Sequence, residues 1–451
     1  MVKIGLEIHG YINTKEKLFC SCDAIHGVKH TKPNINLCPV CTAQPGSKPN
    51  LPNSEAIKKA IQISLILGCK INEELIWQRK HYDWPDLPKG YQNTLSGPHA
   101  IPVGEKGKFM NIKITEAHLE EDPAAWNPKT GEIDYNRSGS PLIEIVTEPD
   151  FKDSETVIDW LKQLIATLSY IKAIDKKSGI KADVNVSIEG GKRIEIKNIN
   201  GLKKIKSAID SEIARQKKDL PLEQETRMFD EEKNITIKMR SKEDAEDYRF
   251  IADPDLPAIK LDKKRIKKLK SNLPETPAEK LKKIIKKHKI EKKSAEILTK
   301  KLDIVKFFEE IIERANQKLA IRWVTEELLS VLNYNKLELE DLEIIPNHFI
   351  ELLDLIEENK LTELKAKEIL RSWTKKSTSP KKEIKKHSQI SDKKEIEKLA
   401  KKIIKKNPEA VKNYKSGKKQ SINFLVGQVM RETKNRADFK IVKQVLEKEL
   451  K

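Results

Sequence analysis

Hydrophobic and polar positions alternate from the first residues. In Lys3-Ile4-Gly5-Leu6-Glu7-Ile8-His9-Gly10, Ile4, Leu6 and Ile8 share one face of a predicted strand; Glu7 and His9 share the other. Residues 183–198 predict a hairpin. A three-residue loop, Gly190-Gly191-Lys192, pairs Ser187 with Glu195 and Asn185 with Lys197. That register places Asp183, Asn185, Ser187, Glu195 and Lys197 on a polar face, and Val184, Val186, Ile188, Ile194 and Ile196 on an apolar one. Leu142-Ile143-Glu144-Ile145-Val146 reads as a strand broken by one carboxylate, downstream of Glu120-Glu121-Asp122. Helical spacing takes over at residues 54–67, where Ser54 is the expected cap, Ile57, Ala60, Ile61 and Leu65 form a stripe and Gly68 ends it. A second stripe runs through Val157, Trp160, Leu161, Leu164, Ile165, Leu168 and Ile171 after a cap at Asp153 or Ser154. A third, from Leu202 to Lys217, uses Ile205, Ile209 and Ile213; the last two helices read as cover for a sheet.

Beyond residue 262 glycine almost vanishes and the period is helical throughout. Helices are expected at 277–300, 303–316, 323–333 and 347–358, with a boundary at Asn272-Leu273-Pro274 and a linker at 374–382. Two further helices carry Ile422, Leu425, Val426, Val429 and Met430, then Val442, Val445, Leu446 and Leu450 with Asp438 as cap. The pattern predicts an α+β protein: a mixed-sheet domain over 1–272, an all-α domain over 273–380 and a small α-helical tail over 381–451.

The length, 451 residues, suits two or three domains. The formal net charge of +19 points to a polyanionic partner, nucleic acid first; a lysine-rich solvated surface is the plain alternative. No segment has the apolar length of a membrane span, and the N-terminus reads as a strand rather than a signal peptide. Five cysteines, odd in number and clustered early, do not make a secreted disulfide framework, so a cytoplasmic protein is expected.

A carboxylate inside an apolar strand must be paired, protonated or bound to a cation. A structural ion pair is the plain reading of Glu144. Acids with one imidazole suit a hard cation such as Mg²⁺. Arg79 and Lys80 supply positive charge, and acids for Mg²⁺ with Lys or Arg for phosphate suit phosphoryl transfer. Neither a GxxxxGK[ST] loop nor a GxGxxG fingerprint occurs, so a nucleotide site here is of another kind. Arg227, Arg240 and Lys242 either hold phosphates or pair with nearby acids. The segment Tyr82–Gln92, rich in proline, aromatic and charged residues, is either a binding loop or a packed surface turn. Cys20-Ser21-Cys22 and Cys38-Pro39-Val40-Cys41 have the spacing of a tetrahedral structural zinc site, against the alternative of four unmetallated thiols. Cys69 stands apart as a core residue.

The motifs Gly5–His9, the two cysteine pairs, Pro85–Gln92, His118–Asp122, Asp134–Arg137, Pro141–Asp150, Glu195–Asn198 and Phe424–Met430 resemble those of the GatB family, the B subunits of aspartyl/glutamyl-tRNA amidotransferases. The resemblance runs nearly end to end. It implies a kinase-like cradle domain, a helical domain and a tRNA-binding tail. The implied activity is ATP-dependent conversion of Glu-tRNA(Gln) or Asp-tRNA(Asn) to the amide. This polypeptide would phosphorylate the side-chain carboxylate, and ammonia from a glutaminase (amidase) A subunit would displace phosphate. A small C subunit is the other implied partner, with no DNA or membrane partner. The implied cofactors are ATP, Mg²⁺ and structural zinc. Residue by residue, the resemblance implies His9, Glu121 and Glu144 as Mg²⁺ ligands, with Glu7 and Glu120 as second choices beside them. Lys80 contacts phosphate or substrate. Glu195, with Asp183 and Asn185, completes the nucleotide or metal surroundings, Lys197 and Arg240 join the cofactor-binding set, and Cys20, Cys22, Cys38 and Cys41 hold zinc. The chain departs from the pattern at Pro123-Ala124-Ala125, where Ala-Gly-Lys is usual, and at Lys181, where arginine is usual; a bidentate contact there is lost. Two alternatives stand. One is the related archaeal protein confined to tRNA(Gln), which carries an inserted domain that this chain lacks. The other is a zinc-bearing, tRNA-binding scaffold without catalysis.

Overall fold

The computed structural model describes residues 1–24, 32–175, 178–241, 248–373, 375–382 and 393–450; the side chains of 240, 241 and 393–395 are not among those described. The chain divides into two compact units, Met1–Thr276 and Pro277–Lys451.

The first unit is built on a mixed sheet of twelve strands: β1 (Lys3–Tyr11), β2 (Lys70–Ile71), β3 (Gln78–His81), β4 (Tyr91–Thr94), β5 (Gly104–Phe109), β6 (Ile112–Glu121), β7 (Pro141–Thr147), β8 (Ile180–Ser187), β9 (Ile194–Asn200), β10 (Glu225–Asp230), β11 (Ile235–Ser241) and β12 (Ile251–Ala252). Their order is β11-β10-β9-β8-β1-β7-β6-β4-β3-β12, with β5 and β2 leading off β6. Among the described strands of this sheet, β9 and β10 run parallel and the other pairs are antiparallel. β1 is central, and its alternation buries Ile4, Leu6 and Ile8 to 2% exposure or less.

Three helices cover this apolar face: α1 (Ser54–Ile66), α2 (Ser154–Tyr170) and α3 (Leu202–Lys218). Asn53 caps α1 in place of the expected Ser54, its side chain accepting from the N–H groups of Glu55 and Ala56. Asp153 caps α2 through the Thr156 N–H. Trp160 of α2 packs edge-on against Phe109 and Phe151 and donates its indole N–H to the Phe109 carbonyl at 3.1 Å. Gly107 on β5 is crowded by α1's exit: a Cβ there would stand 2.6 Å from the Leu67 carbonyl oxygen. The lysine run after residue 262 forms α4 (Lys263–Ser271), with Leu269 packed on the core.

The hairpin of β8 and β9 departs from the predicted register by two residues. Asn185 faces Glu195 and Val184 faces Ile196. The turn closes one step earlier, with the Gly191 N–H on the Ile188 carbonyl and Gly190 in the left-handed region. A shift of two keeps every side chain on its predicted face, because the strand period is two.

The second unit is helical: α5 (Pro277–His288), α6 (Lys292–Leu298), α7 (Leu302–Ile312), α8 (Gln317–Arg322), α9 (Leu329–Asn335), α10 (Pro346–Glu357), α11 (Glu363–Ser372), α12 (Lys393–Lys406), α13 (Pro408–Lys415), α14 (Ser421–Glu432) and α15 (Phe439–Glu449). Lys289, at φ +52°, splits the expected 277–300 helix. A turn of π-helix, Trp323–Leu328, joins α8 to α9. The expected linker is not a free tether over its described residues. Ser377 is buried, accepts from the Ile345 N–H at 2.9 Å and donates to the Glu343 carbonyl. Its polar composition misleads because the hydroxyl is satisfied inside the fold; Thr374 lies outside the described residues. α12, α14 and α15 share a core of Ile396, Ile403, Leu425, Val429, Val442 and Leu446, all 5% exposed or less. Among the described residues, no helix is long and apolar enough to cross a membrane.

Candidate metal and phosphate site

Register alone collects the polar residues on one face of the sheet. His9 faces Glu144 on β7, Glu144 faces His118 on β6, and Glu120 lies two residues along β6 from His118. Thr94 faces Glu120, and Lys80 faces Gln92, two residues from Thr94. On the other side Glu7 faces Asp183, and Asn185 faces Glu195. Paired residues point to the same side of a sheet, so Lys80, Glu120, His118, Glu144, His9, Glu7, Asp183 and Glu195 line the face opposite Ile4, Leu6 and Ile8.

His9 Nε2 lies 3.3 Å from Glu144 Oε2 and 3.4 Å from Glu120 Oε1. One ligand atom each from His9, Glu120 and Glu144 falls within 4.8 Å of the others. Burial favours the neutral forms, but the charges win. Glu144 is held well below the usual carboxylate range by His118 and His9, and His9 is pushed well above the usual imidazole range by Glu144 and Glu120. Two carboxylates and an imidazole, partly open to solvent, fit a hard divalent cation that keeps several of its waters.

Glu121, expected as a ligand, is not part of this group. As the next residue on β6 it points to the other face, where it accepts from Lys89 Nζ and from the Asn93 N–H at 2.9 Å. Glu120 stands in its place. The alternation of His118 and Glu120 is the signal that distinguishes them.

A second group adjoins the first through Glu7, whose carboxyl is raised by burial and by the neighbouring Glu144. Glu7, Asp183 and Glu195 each place an oxygen within 4.8 Å of the others. Lys197 Nζ sits among them, 2.7 Å from Asp183 and 2.6 Å from Glu195, and the two acids hold it charged against the cost of burial. Asn185 donates to Glu7 at 3.1 Å, and its own buried Oδ1 has no hydrogen-bond partner among the described residues. A buried carbonyl oxygen without a donor fits a site that takes a cation or a hydrogen-bonding ligand.

Lys80 makes a cation–π contact with Tyr248, its Nζ 4.7 Å from the ring centroid. Arg79, one residue away and on the other face, is committed to Asp253 at 2.9 Å and Asp255 at 2.7 Å and lies over the Tyr91 ring. Lys89, from the loop before β4, turns inward to Glu121 and Asn93, while Trp84 remains 45% exposed against Trp126. Arg227 pairs with Glu225 at 2.6 Å and donates to Thr236, the second of its two expected fates. Arg240 faces Thr226 on β11 with its side chain outside the described set, and Lys242 lies outside the described residues.

The four cysteines form a group of their own. Cys20, Cys22, Cys38 and Cys41 place their sulfurs within 4.8 Å of one another, with Cys38 and Cys41 3.8 Å apart. The hydrogen bond from Cys20, the Cys38 N–H and the charge of Lys17 push the Cys41 thiol down to about 4 against burial. Four convergent sulfurs, one already disposed to ionise, fit tetrahedral zinc.

Residues 2–267 match the family model described as the GatB/GatE catalytic domain, and residues 306–450 match the GatB domain. The chain is 42% identical to the B subunit of the aspartyl/glutamyl-tRNA(Asn/Gln) amidotransferase of Methanocaldococcus jannaschii, covering 100% of this chain and 98% of the relative. It is 40% identical to the protein of the same name in Methanopyrus kandleri over the same shares. For Methanothermobacter thermautotrophicus the identity is 42% over 97% of each. Matched across both units and along nearly the whole length of these relatives, the chain belongs to the GatB family.

Proposed function

We propose that the chain is the carboxylate-activating component of a tRNA-dependent amidotransferase that uses ATP and Mg²⁺. The observation that carries this reading is the row of His9, Glu120 and Glu144 beside Glu7, Asp183 and Glu195, on one sheet face with Lys80. The names of the relatives supply the substrate class, Glu or Asp on tRNA(Gln) or tRNA(Asn), and their designation as one lettered component implies further subunits.

The chemical problem is that a carboxylate is a poor acyl donor, because oxide is a poor leaving group. In the proposed reaction a side-chain carboxylate oxygen bonds to the γ-phosphorus of ATP, the bond to the bridging oxygen breaks, and ADP leaves with its electron pair. Ammonia then adds to the acyl carbon, and inorganic phosphate departs to leave the amide. Mg²⁺, when bound, supplies charge neutralisation for the phosphoryl group in transit. His9, Glu120 and Glu144 are the residues that would hold it. Lys80, on the same sheet face, would meet phosphate oxygens or the substrate carboxylate. Lys197 offsets three acids that would otherwise repel ATP. Ammonia comes from a glutaminase A subunit, with a small C subunit completing the assembly. Cys20, Cys22, Cys38 and Cys41 would hold zinc, which would brace their loops rather than take part in the reaction.

The test uses the chain with its amidase partner, misacylated tRNA, ATP and Mg²⁺, with ammonium replacing glutamine. Glu144→Ala is expected to abolish amidation while the circular dichroism spectrum persists. Wild-type turnover in that variant would withdraw the assignment.

A further inference from the structure

His118 belongs to none of the roles assigned above, yet it is the most enclosed charged group in the row. Its side chain is 2% exposed and stands between two carboxylates. Nε2 lies 3.2 Å from Glu144 Oε2, and Nδ1 lies 3.1 Å from Glu116 Oε1. The Nδ1 contact is at ion-pair distance, so the Glu116 carboxylate holds the far side of the ring by its charge. Glu116 is itself fixed, accepting the Ser96 hydroxyl at 2.5 Å. His118 and Glu144 are register partners, so the backbone ladder and the side-chain contact reinforce each other.

Glu144 Oε2 is thus shared by two imidazoles, from His9 on one side and His118 on the other. Only one of them is arranged to be a ligand. His9 is partly open and has Glu120 beside it; His118 is sealed and faces away toward Glu116. We propose that His118 is a positioning residue that orients the Glu144 carboxylate toward the cation, with Glu116 and Ser96 as the buttress behind it. This rests on the reading of His9, Glu120 and Glu144 as the cation site. The physical reason is that a carboxylate with one oxygen fixed from behind loses little freedom on binding a metal, and such outer partners tune affinity through ligand orientation. The order of contacts also gives the buried histidine a place: Ser96, Glu116, His118 and Glu144 form one line that ends at the proposed cation site.

The test is a Mn²⁺ titration of the full, zinc-replete chain, followed by electron paramagnetic resonance of the free ion. His118→Leu is expected to weaken Mn²⁺ binding about 10–100-fold. His118→Gln, which retains a donor toward Glu144, is expected to recover a large part of that loss; a merely structural role would not separate the two variants at equal stability. If His118→Leu fails to fold, Glu116→Gln takes its place, with weaker Mn²⁺ binding expected. Unchanged affinity in a folded His118→Leu chain, or in Glu116→Gln when that is the variant used, overturns the proposal. Glu144→Gln separates the two levels of the argument. If it abolishes Mn²⁺ binding while His118→Leu does not alter it, the positioning role alone falls. If the wild-type chain binds no Mn²⁺, the cation site falls and the positioning role with it.

Discussion

His9 and Glu144 are register partners across the β1–β7 pair, and His9 Nε2 lies 3.3 Å from Glu144 Oε2. The contact joins the first strand of the chain to one more than a hundred residues later, so the site exists only when the sheet is assembled. It also keeps Glu144 ionised inside an otherwise apolar run, because His118 and His9 outweigh the cost of burial. Replacing Glu144 by Gln removes the charge at nearly constant shape. The expected loss of Mg²⁺-dependent amidation is at least about 100-fold, the upper range seen for outer partners of a metal, since Glu144 is placed as a ligand itself. Steady-state assays at saturating tRNA check this, with circular dichroism as the control for folding.

The thiol cluster predicts a metal content. Chain purified without chelator is expected to release a single zinc when its thiols are titrated with an organomercurial. Cys38→Ser is expected to reduce that zinc and to lower the melting temperature, since Cys38 meets Cys41 through both its sulfur and its N–H. Four freely titrating thiols with no zinc released would favour the unmetallated alternative.

Trp160 anchors the helical cover to the sheet. It is 3% exposed, packs edge-on against Phe109 and Phe151 and donates to the Phe109 carbonyl. Trp160→Ala is expected to destabilise the first unit by about 3–5 kcal/mol, the range for loss of a buried aromatic side chain. Urea denaturation followed by far-ultraviolet circular dichroism measures it.

Cys69 is buried, and burial pushes its thiol up to about 12 against a small opposing effect of the Gly107 N–H. At pH 8 the reactive thiolate is then about one part in ten thousand of the population. Alkylation of the native chain with iodoacetamide at pH 8, read by peptide mass spectrometry, should leave Cys69 unmodified. It should become modified once urea unfolds the chain.

Local periodicity makes the polar face legible. Alternation in Lys3–Gly10 gives Glu7 and His9 one side and the core the other, and a single acid in an apolar strand marks Glu144. The hairpin register differs from expectation by two residues without consequence for its faces, since the turn, not the pattern, sets that number. Glu120 and Glu121 are a harder choice. Adjacent acids point to opposite sides; alternation puts Glu120 on the face of His118, and the pairing of β6 with β7 brings that face to His9. His118 is hidden in the sequence for a related reason: its role depends on Glu116 behind it and Glu144 before it, a three-residue line that crosses strands. In the second unit, α11 buries only Ala366 and Leu370 along its length, too thin a stripe to register as a helix. Ser377 looks like linker because its partners, Glu343 and Ile345, lie more than thirty residues away.

The most direct test of the central claim traps the activated carboxylate. The chain with its partner subunits would be given Glu-tRNA(Gln) or, separately, Asp-tRNA(Asn), with ATP and Mg²⁺ but neither glutamine nor ammonium, and hydroxylamine as the nucleophile. The account predicts a side-chain hydroxamate on the tRNA-bound amino acid, formed one for one with ADP, dependent on Mg²⁺ and absent in Glu144→Gln. Tight binding of charged tRNA with no hydroxamate and no ADP on either tRNA would contradict it and leave a scaffold in place of an enzyme.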